Sequence, residues 1–239
     1  MSDAGSATDQ AHDRGPEGLV TSLVAAPRAP RGRQSGLRAF LDGIEDGELR
    51  AGLVRLIGTR SQASRLLGAV LGHSPFLARI LANHPDWLHE ALAEEPGRHL
   101  DRLIGDMWRA GTSATHDDEI MPALRHGRQR VALLVALADL GGIWGLAEVT
   151  EALTRLADAA VALAADHVLR GAHRAGRLTL PDPARPGEGS GYVLIAMGKH
   201  GARELNYSSD VDLIALHDPA RAPAAESVEP DALLSLIHI

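Results

Sequence analysis

The stretch MGKHGARELNYSSDVDLI, residues 197–214, marks a change in the character of the chain. The preceding residues repeat apolar side chains at helical spacing, whereas this stretch joins a glycine turn to two aspartates one residue apart. Asp210 and Asp212 open an apolar segment that predicts a strand over residues 210–216. Because side chains alternate between the faces of a strand, both carboxylates are expected to point to the same side.

Two neighbouring carboxylates repel each other, and each raises the pKa of the other unless a cation lies between them. Mg²⁺ suits such a pair, since it is a hard ion that proteins bind through one or two carboxylates together with water and phosphate oxygens. Asp210 and Asp212 are therefore predicted to be metal ligands and catalytic residues. The alternative is an exposed edge strand with two solvated aspartates.

The residues upstream of the carboxylates predict a phosphate-binding turn. The apolar run 192–197 predicts a strand buried on both faces, and Gly198 follows it directly. Glycine allows the backbone to approach a phosphate, and a short helix over residues 201–205 would offer its first N–H groups to negative charge. The predicted contacts with the nucleotide phosphates are Gly198, Lys199, Arg203 and Ser209.

Each of these assignments has a simpler alternative. Gly198 and Lys199 could form an ordinary turn, because the spacing of glycines does not match a Walker phosphate loop. Arg203 could pair with Glu204 instead of a phosphate, and Ser209 could stabilise a turn before the strand. The twelve histidines show no spacing typical of a zinc site.

The rest of the chain divides by composition into four parts. Residues 1–36 are rich in Gly, Ala, Ser, Pro and Arg and predict a disordered leader. Helical periodicity over 37–178 predicts a helical domain, and the prolines and glycines of 179–190 predict a linker. Residues 191–239 read as the truncated start of an α/β domain, so the expected fold class is α+β, mainly helical.

Local signals predict helix boundaries within the helical domain. Ser74-Pro75 predicts a helix start, with a hydroxyl cap followed by proline. Gly141-Gly142 closes the long apolar stretch 119–140 and suits a left-handed C-terminal cap. The apolar period over 146–175 predicts the clearest helix of the chain.

Composition narrows the class of protein further. Apolar residues make up 45% of the chain but aromatic residues only 3%, which indicates an aliphatic core and favours helix. The absence of cysteine excludes thiolate chemistry and fits a cytoplasmic location. A net charge of −7 disfavours a nucleic-acid partner. The longest apolar run, residues 131–138, is far shorter than the roughly 20 residues of a membrane-spanning helix, so no membrane partner is expected.

The motif carries a family resemblance. Gly198-Lys199, ten further residues and then Asp210-Val211-Asp212 resemble the Gly-Ser…Asp-x-Asp signature of the DNA-polymerase-β-like nucleotidyltransferases, with Lys199 in place of the usual serine. The longer string over 198–214 resembles a narrower group, the bifunctional glutamine synthetase adenylyltransferase/adenylyl-removing enzymes, and the similarity extends over about residues 60–218.

The sequence departs from this pattern at three positions. The family more often has Gly, Leu and Gly where this chain has Ala196, His200 and Ala202. His200 is the least conventional of the three, because it lies next to the residues expected to contact phosphate.

The resemblance implies a reaction and a set of partners. It implies the first of two nucleotidyltransferase copies, in which phosphate attacks an adenylyl-tyrosine of glutamine synthetase and releases ADP, with Mg²⁺ as cofactor. A second copy that adds AMP from ATP, and a third catalytic carboxylate on a later strand, would lie beyond residue 239. A PII-type signalling protein is the implied regulator.

Residues 234–239, LSLIHI, resemble a translated sequencing adapter, so the reading frame is expected to be cut. This polypeptide alone is expected to be inactive, because the rest of the sheet and the third carboxylate are missing from it.

Two rival functions stay open. One is that of a nucleotidyltransferase of the same fold that acts on another acceptor, such as a small molecule. The other is that of a helical adaptor with no catalytic role.

Overall fold

The computed structural model describes residues 18–27, 35–58, 61–218 and 221, and shows a helical array followed by a two-stranded sheet. Long α-helices account for most of these residues, which confirms the mainly helical prediction. The elements are α1 Leu19–Ser22, α2 Ser35–Asp42, α3 Gly47–Ile57, α4 Gln62–His73, α5 Pro75–Asn83, α6 Pro85–Ala93, α7 Pro96–Ser113, α8 Asp117–Leu140, α9 Leu146–Arg174, β1 Tyr192–Ala196, α10 Gly198–Gly201 and β2 Leu213–His217.

Local sequence signals set several helix boundaries. The hydroxyl of Ser74 accepts a hydrogen bond from the Leu77 amide at 3.2 Å, and Pro75 occupies the first position of α5, as predicted. After α8, Gly142 adopts a left-handed φ of 68°, so the expected glycine cap lies at the second glycine of the pair. Gly176, with a φ of 69°, follows the end of α9.

The three longest helices, α7, α8 and α9, pack on one another and carry the centre of the core. The buried side chains are almost all Leu, Val, Ile and Ala, as the low aromatic content requires. The same apolar cluster includes Leu205, which lies outside the helical region, between α10 and β2. In the described parts of the chain, no helix combines the length and apolarity that crossing a membrane requires.

Part of the predicted leader packs against the helices. The side chain of Leu19 is fully buried, and its amide donates to the carbonyl of Glu94 at 2.9 Å. The amides of Val24 and Ala25 both donate to the Gly141 carbonyl. The expectation of disorder is therefore wrong for residues 18–27, because composition cannot show that Leu19 fills the core; residues 1–17 and 28–34 lie outside the described residues.

The two strands differ from the prediction in burial and in extent. β1 and β2 pair antiparallel, with Tyr192 opposite His217 and Ala196 opposite Leu213. The inner face packs on the end of α9, where Tyr192 contacts a small apolar cluster. β1 is not buried on both faces, since no described element covers the outer face. The exposed outer side chains are Val193, Ile195, Ile214 and Leu216.

The division into a helical domain over 37–178, a linker over 179–190 and an α/β domain from 191 stays a prediction. So does the assignment of the sheet to the polymerase-β-like fold, because two paired strands are shared by many folds. Residues 219, 220 and 222–239, including the adapter-like ending, lie outside the described residues.

Candidate functional site

The glycine turn and one of the two aspartates lie against each other. Gly198 has a φ of 53°, a left-handed conformation that favours glycine. A Cβ atom added to Gly198 would lie 3.4 Å from Oδ2 of Asp212, and the Met197 amide donates to the Asp212 carbonyl at 2.9 Å. The structure thus brings together the two parts of the motif, which are separated by more than ten residues in sequence.

The aspartates do not lie on the strand as predicted. β2 begins at Leu213, so Asp210 and Asp212 lie in the segment that leads into it. The bond from the Met197 amide to the Asp212 carbonyl lies next to the last strand pair, Ala196 opposite Leu213. Both carboxylates are exposed, and no side chain among the described residues pairs with either.

The donor set at this point fits Mg²⁺ and does not fit a metal held by protein ligands alone. Among the described residues, no group of three or more His, Asp or Glu side chains could enclose an ion. Two accessible carboxylates beside a glycine turn match the preference of Mg²⁺ for one or two carboxylates, water and phosphate oxygens. Asp210 and Asp212 would be the ligands.

The short helix of the turn lies earlier than predicted. α10 spans Gly198–Gly201, and the chain leaves it through Arg203, which has a φ of 60°. A Cβ atom on Gly201 would lie only 2.4 Å from the Ala196 carbonyl oxygen, so this residue allows α10 to fold back onto β1. The prediction of a helix over 201–205 is wrong, because the left-handed Arg203 ends the helical turn.

The side chains of this turn reach the helical region. Arg203 donates two hydrogen bonds to Glu151, at 2.6 and 2.8 Å, and one to Asp158 at 3.2 Å. His200 is buried, and its Nε2 lies 2.8 Å from the other Asp158 oxygen. Hydrogen bonding to Arg203 lowers the pKa of Glu151. Arg203 therefore pairs with α9 and not with Glu204, and its geometry gives no support to a phosphate contact.

Ser209 takes part in a turn. Its hydroxyl donates to Oδ1 of Asn206 at 3.0 Å and accepts from the Asn206 amide at 3.1 Å. To donate to a phosphate, the Ser209 hydroxyl would have to break its hydrogen bond to Oδ1 of Asn206. Lys199 is exposed on α10 beside Gly198, and its side chain has no partner among the residues that the structure describes. The phosphate contacts predicted for Gly198, Lys199, Arg203 and Ser209 stay predictions.

A second link joins the segment before the aspartates to α8. The hydroxyl of Tyr207 donates to Asp139 at 3.1 Å, and burial together with the nearby Asp139 charge raises the pKa of Tyr207. Leu205, two residues earlier, is buried in the helical core. The loop that carries the carboxylates is consequently fixed to the helices at Arg203, Leu205 and Tyr207.

Sequence reasoning did not identify the acidic partners of this loop. Asp139, Glu151 and Asp158 lie on amphipathic helices, where an isolated acidic side chain is typical of a solvated face. They pair with residues 42 to 68 positions away, and no local pattern indicates such contacts. The only sequence signal was His200, a departure from the family pattern whose side chain is one of the contacts.

Comparison with known proteins agrees with the resemblance. The family model of glutamate-ammonia ligase adenylyltransferase matches residues 64–237. No solved structure matches the chain. Proteins named bifunctional glutamine synthetase adenylyltransferase/adenylyl-removing enzyme are similar to it over most of its length. They include those of Xanthobacter autotrophicus, 44% identical over 87% of this chain, Bradyrhizobium sp. strain ORS 278, 39% over 89%, and Rhizobium meliloti, 40% over 78%.

The matched region covers only part of each relative. The chain spans about a fifth of their length, with 20%, 22% and 20% of the three relatives aligned. The family model nevertheless covers more than half of this chain, from α4 through the motif that holds Gly198, Asp210 and Asp212. The chain belongs to the glutamate-ammonia ligase adenylyltransferase family.

Proposed function

We propose that this chain is part of an enzyme that removes AMP from a modified tyrosine of glutamine synthetase. The reaction is phosphorolysis: an oxygen of inorganic phosphate bonds to the adenylyl phosphorus, the bond from phosphorus to the tyrosine oxygen breaks, and ADP and the free tyrosine hydroxyl result. The contact between Gly198 and Asp212 carries this proposal, because it joins a backbone turn open to phosphate with a carboxylate that can hold a cation.

The residues of the site supply positioning and charge. Gly198 leaves room beside Asp212 for a phosphate oxygen, and Lys199 adds a cation without a competing partner among the described residues. Mg²⁺ bound to Asp210 and Asp212 would neutralise the charge of the phosphates. Phosphate is itself an anionic nucleophile, so the segment does not need a general base.

The relatives are named for addition as well as removal of AMP. The resemblance implies two nucleotidyltransferase copies, and we assign the addition of AMP from ATP to the second copy. We place the enzyme in the cytoplasm, with a PII-type protein as its regulator and with a polymerase-β-like catalytic domain. Because the polypeptide of 239 residues spans about a fifth of the relatives' length, we expect no ADP release from it alone.

Metal binding by this chain tests the site directly. Mn²⁺ substitutes for Mg²⁺ in electron paramagnetic resonance, and the signal of free Mn²⁺ should fall when the chain is added. Asp212→Asn and Asp210→Asn should each abolish this binding, whereas Asp118→Asn, an exposed aspartate on α8, should not. Equal Mn²⁺ binding by all variants would exclude the two carboxylates as metal ligands.

The reaction is tested in a longer protein that contains the whole catalytic domain. With adenylylated glutamine synthetase, phosphate and Mg²⁺, it should release ADP, and Asp212→Asn should slow release by roughly 100-fold or more. Circular dichroism checks that the variant stays folded. Normal metal binding without ADP release would retain the nucleotidyltransferase site and point to a different acceptor.

A further inference from the structure

A groove of about 700 Å³ lies where the helical region meets the loop of the site. Its floor is apolar and is formed by α9 residues such as Leu153, Leu156 and Ala157. α5 and α8 form the walls, and the loop residues from Leu205 to Val211 form one end. The volume lies in the range of sites that enclose a ligand of several hundred daltons, and it exceeds what a single side chain would fill.

The groove exposes large apolar side chains. Met121, on the α8 wall, is 54% exposed, and Phe76, Tyr207 and Val211 are exposed as well. A continuous apolar surface of this kind in a folded protein marks a site that another molecule covers. Outside the groove, the exposed large apolar side chains on the three long helices are Trp108 and Leu146, and they lie on different helices.

Two arginines give the groove a positive wall. Arg125 and Arg128 line it, and both are exposed without an ion-pair partner among the described residues. This contrasts with Arg102, Arg130 and Arg155, which pair with carboxylates on neighbouring helices. In a chain of net charge −7, unpaired arginines beside an apolar floor select an occupant that combines apolar and anionic groups.

The groove ends at the loop that carries the candidate metal ligands. Ser209 and Val211 line the groove, and Asp210 lies between them in sequence. A polypeptide seated in the groove would therefore lie against this loop.

From these features we infer that the groove binds the segment of the acceptor protein that carries the adenylylated tyrosine. This inference rests on the proposed function. Apolar side chains of the segment lie on Leu156 and Met121, and its acidic groups lie at Arg125 and Arg128. The helical region thus selects the protein acceptor, while the loop of Gly198, Asp210 and Asp212 acts on the modified tyrosine.

Binding of adenylylated glutamine synthetase to the immobilised chain of 239 residues tests the inference by interferometry. Met121→Glu, and the double substitution Arg125→Glu with Arg128→Glu, should each weaken binding by about tenfold or more. Matched controls are Leu146→Glu, at a residue that is 80% exposed outside the groove, and Arg55→Glu on α3; both should bind within about twofold of wild type.

Failure of this inference can be told from failure of the proposed function. Mn²⁺ binding at Asp210 and Asp212 should be unchanged in the groove variants, since none of the substituted residues is a proposed ligand. No binding of glutamine synthetase by the wild-type chain, or equal binding by groove and control variants, would overturn the groove assignment whether or not the metal site is correct.

Oxidative footprinting of Met121 tests whether glutamine synthetase or another part of the same protein covers the groove. Adenylylated glutamine synthetase should slow oxidation of Met121 in this chain and in the longer protein. If Met121 is already protected in the longer protein without glutamine synthetase, another part of the same protein fills the groove and the inference is wrong.

Discussion

Two clusters of arginine and acidic side chains in this protein differ in their surroundings. The bundle cluster joins α6, α7 and α8 and consists of Glu90, Glu94, His99, Arg102 and Arg130. The loop cluster joins α9 to the turn after β1 and consists of Glu151, Asp158, His200 and Arg203. Both contain a histidine that is almost completely buried, but Arg203 of the loop cluster is more accessible than the two arginines of the bundle cluster.

The bundle cluster is fixed within the packed helices. Arg102 contacts Glu90 and Glu94 at 2.9 Å, and Arg130 approaches Glu90 at 2.5 Å. His99 is 2% exposed, and burial together with the nearby Arg102 lowers its pKa to about 4. The protonation state of this histidine is therefore tied to the stability of the whole bundle.

The loop cluster contributes more to the position of the loop than to the free energy of unfolding. Exposed ion pairs contribute little to the free energy of unfolding, because water and salt screen them. Arg203 nevertheless makes three hydrogen bonds to α9, and these orient the loop that ends at Asp212. Similar side chains therefore stabilise the fold in one region of the molecule and position the site in the other.

The largest effect expected from this contrast concerns His99. Its lowered pKa means that the unfolded chain binds a proton more readily than the folded one. Its contribution is thus fully present above pH 6.5 and is lost as the pH falls to about 4. From pH 7 to pH 5, wild type should lose about 2 kcal/mol of unfolding free energy more than His99→Gln, and about 3 kcal/mol more by pH 4.

Urea unfolding at each pH measures this difference. His200→Gln in the loop cluster is the matched comparison, since it removes a buried histidine outside the bundle. If wild type and His99→Gln lose stability in parallel from pH 7 to pH 4, proton binding at His99 does not distinguish the two clusters.

An intermediate effect is expected at the glycine that folds α10 onto β1. A Cβ atom on Gly201 would meet the Ala196 carbonyl oxygen at 2.4 Å. Ala196 is the last residue of β1, so its carbonyl cannot move away without disturbing that strand. Gly201→Ala should lower the exchange protection of β1 and β2 amides by about 1–2 kcal/mol. Amides of α7 should keep their protection, because the bundle does not depend on this turn.

Gly171 on α9 provides the matched control. A Cβ atom there would meet nothing within 4 Å, so Gly171→Ala should raise helix stability by up to about 1 kcal/mol. Unchanged protection of the sheet in Gly201→Ala would show that the loop can shift as a unit, and that close packing does not fix the site.

The sequence predicted most of what depends on local signals. Ser74 and Pro75 marked the start of α5, the apolar period of α9 was visible, and the glycine turn was placed next to the carboxylates. These features follow from capping, from periodicity and from backbone freedom, all of which act within a few residues.

The sequence-based predictions fail where contacts between residues far apart in the chain determine the structure. Leu19 fills a hole in the core that only the folded helices create, so composition alone predicted disorder. The carboxylates of α9 capture Arg203 and His200, and no periodicity in residues 146–174 indicates that partner. The groove is likewise formed by four separate segments and has no signature in any one of them.

The smallest effect on stability, and the most informative for the site, is expected from Arg203. Because Arg203 and its partners are about half exposed, Arg203→Gln should leave the free energy of unfolding almost unchanged. The amides of residues 198–209 should exchange up to about fivefold faster, since the loop loses three hydrogen bonds to α9. Arg155→Gln, which breaks the exposed pair with Asp101, should leave exchange in the loop unchanged.

A second substitution tests whether loss of the ion pair between Arg203 and Glu151 causes the faster exchange of the loop. Glu151→Gln should accelerate loop exchange to a similar extent, and combining it with Arg203→Gln should add little, because both remove the same contact. Since the bond to Arg203 lowers the pKa of Glu151, the difference between wild type and these variants should shrink as the pH falls below the usual range of a carboxyl. Additive effects in the double variant would mean that Arg203 positions the loop through other partners.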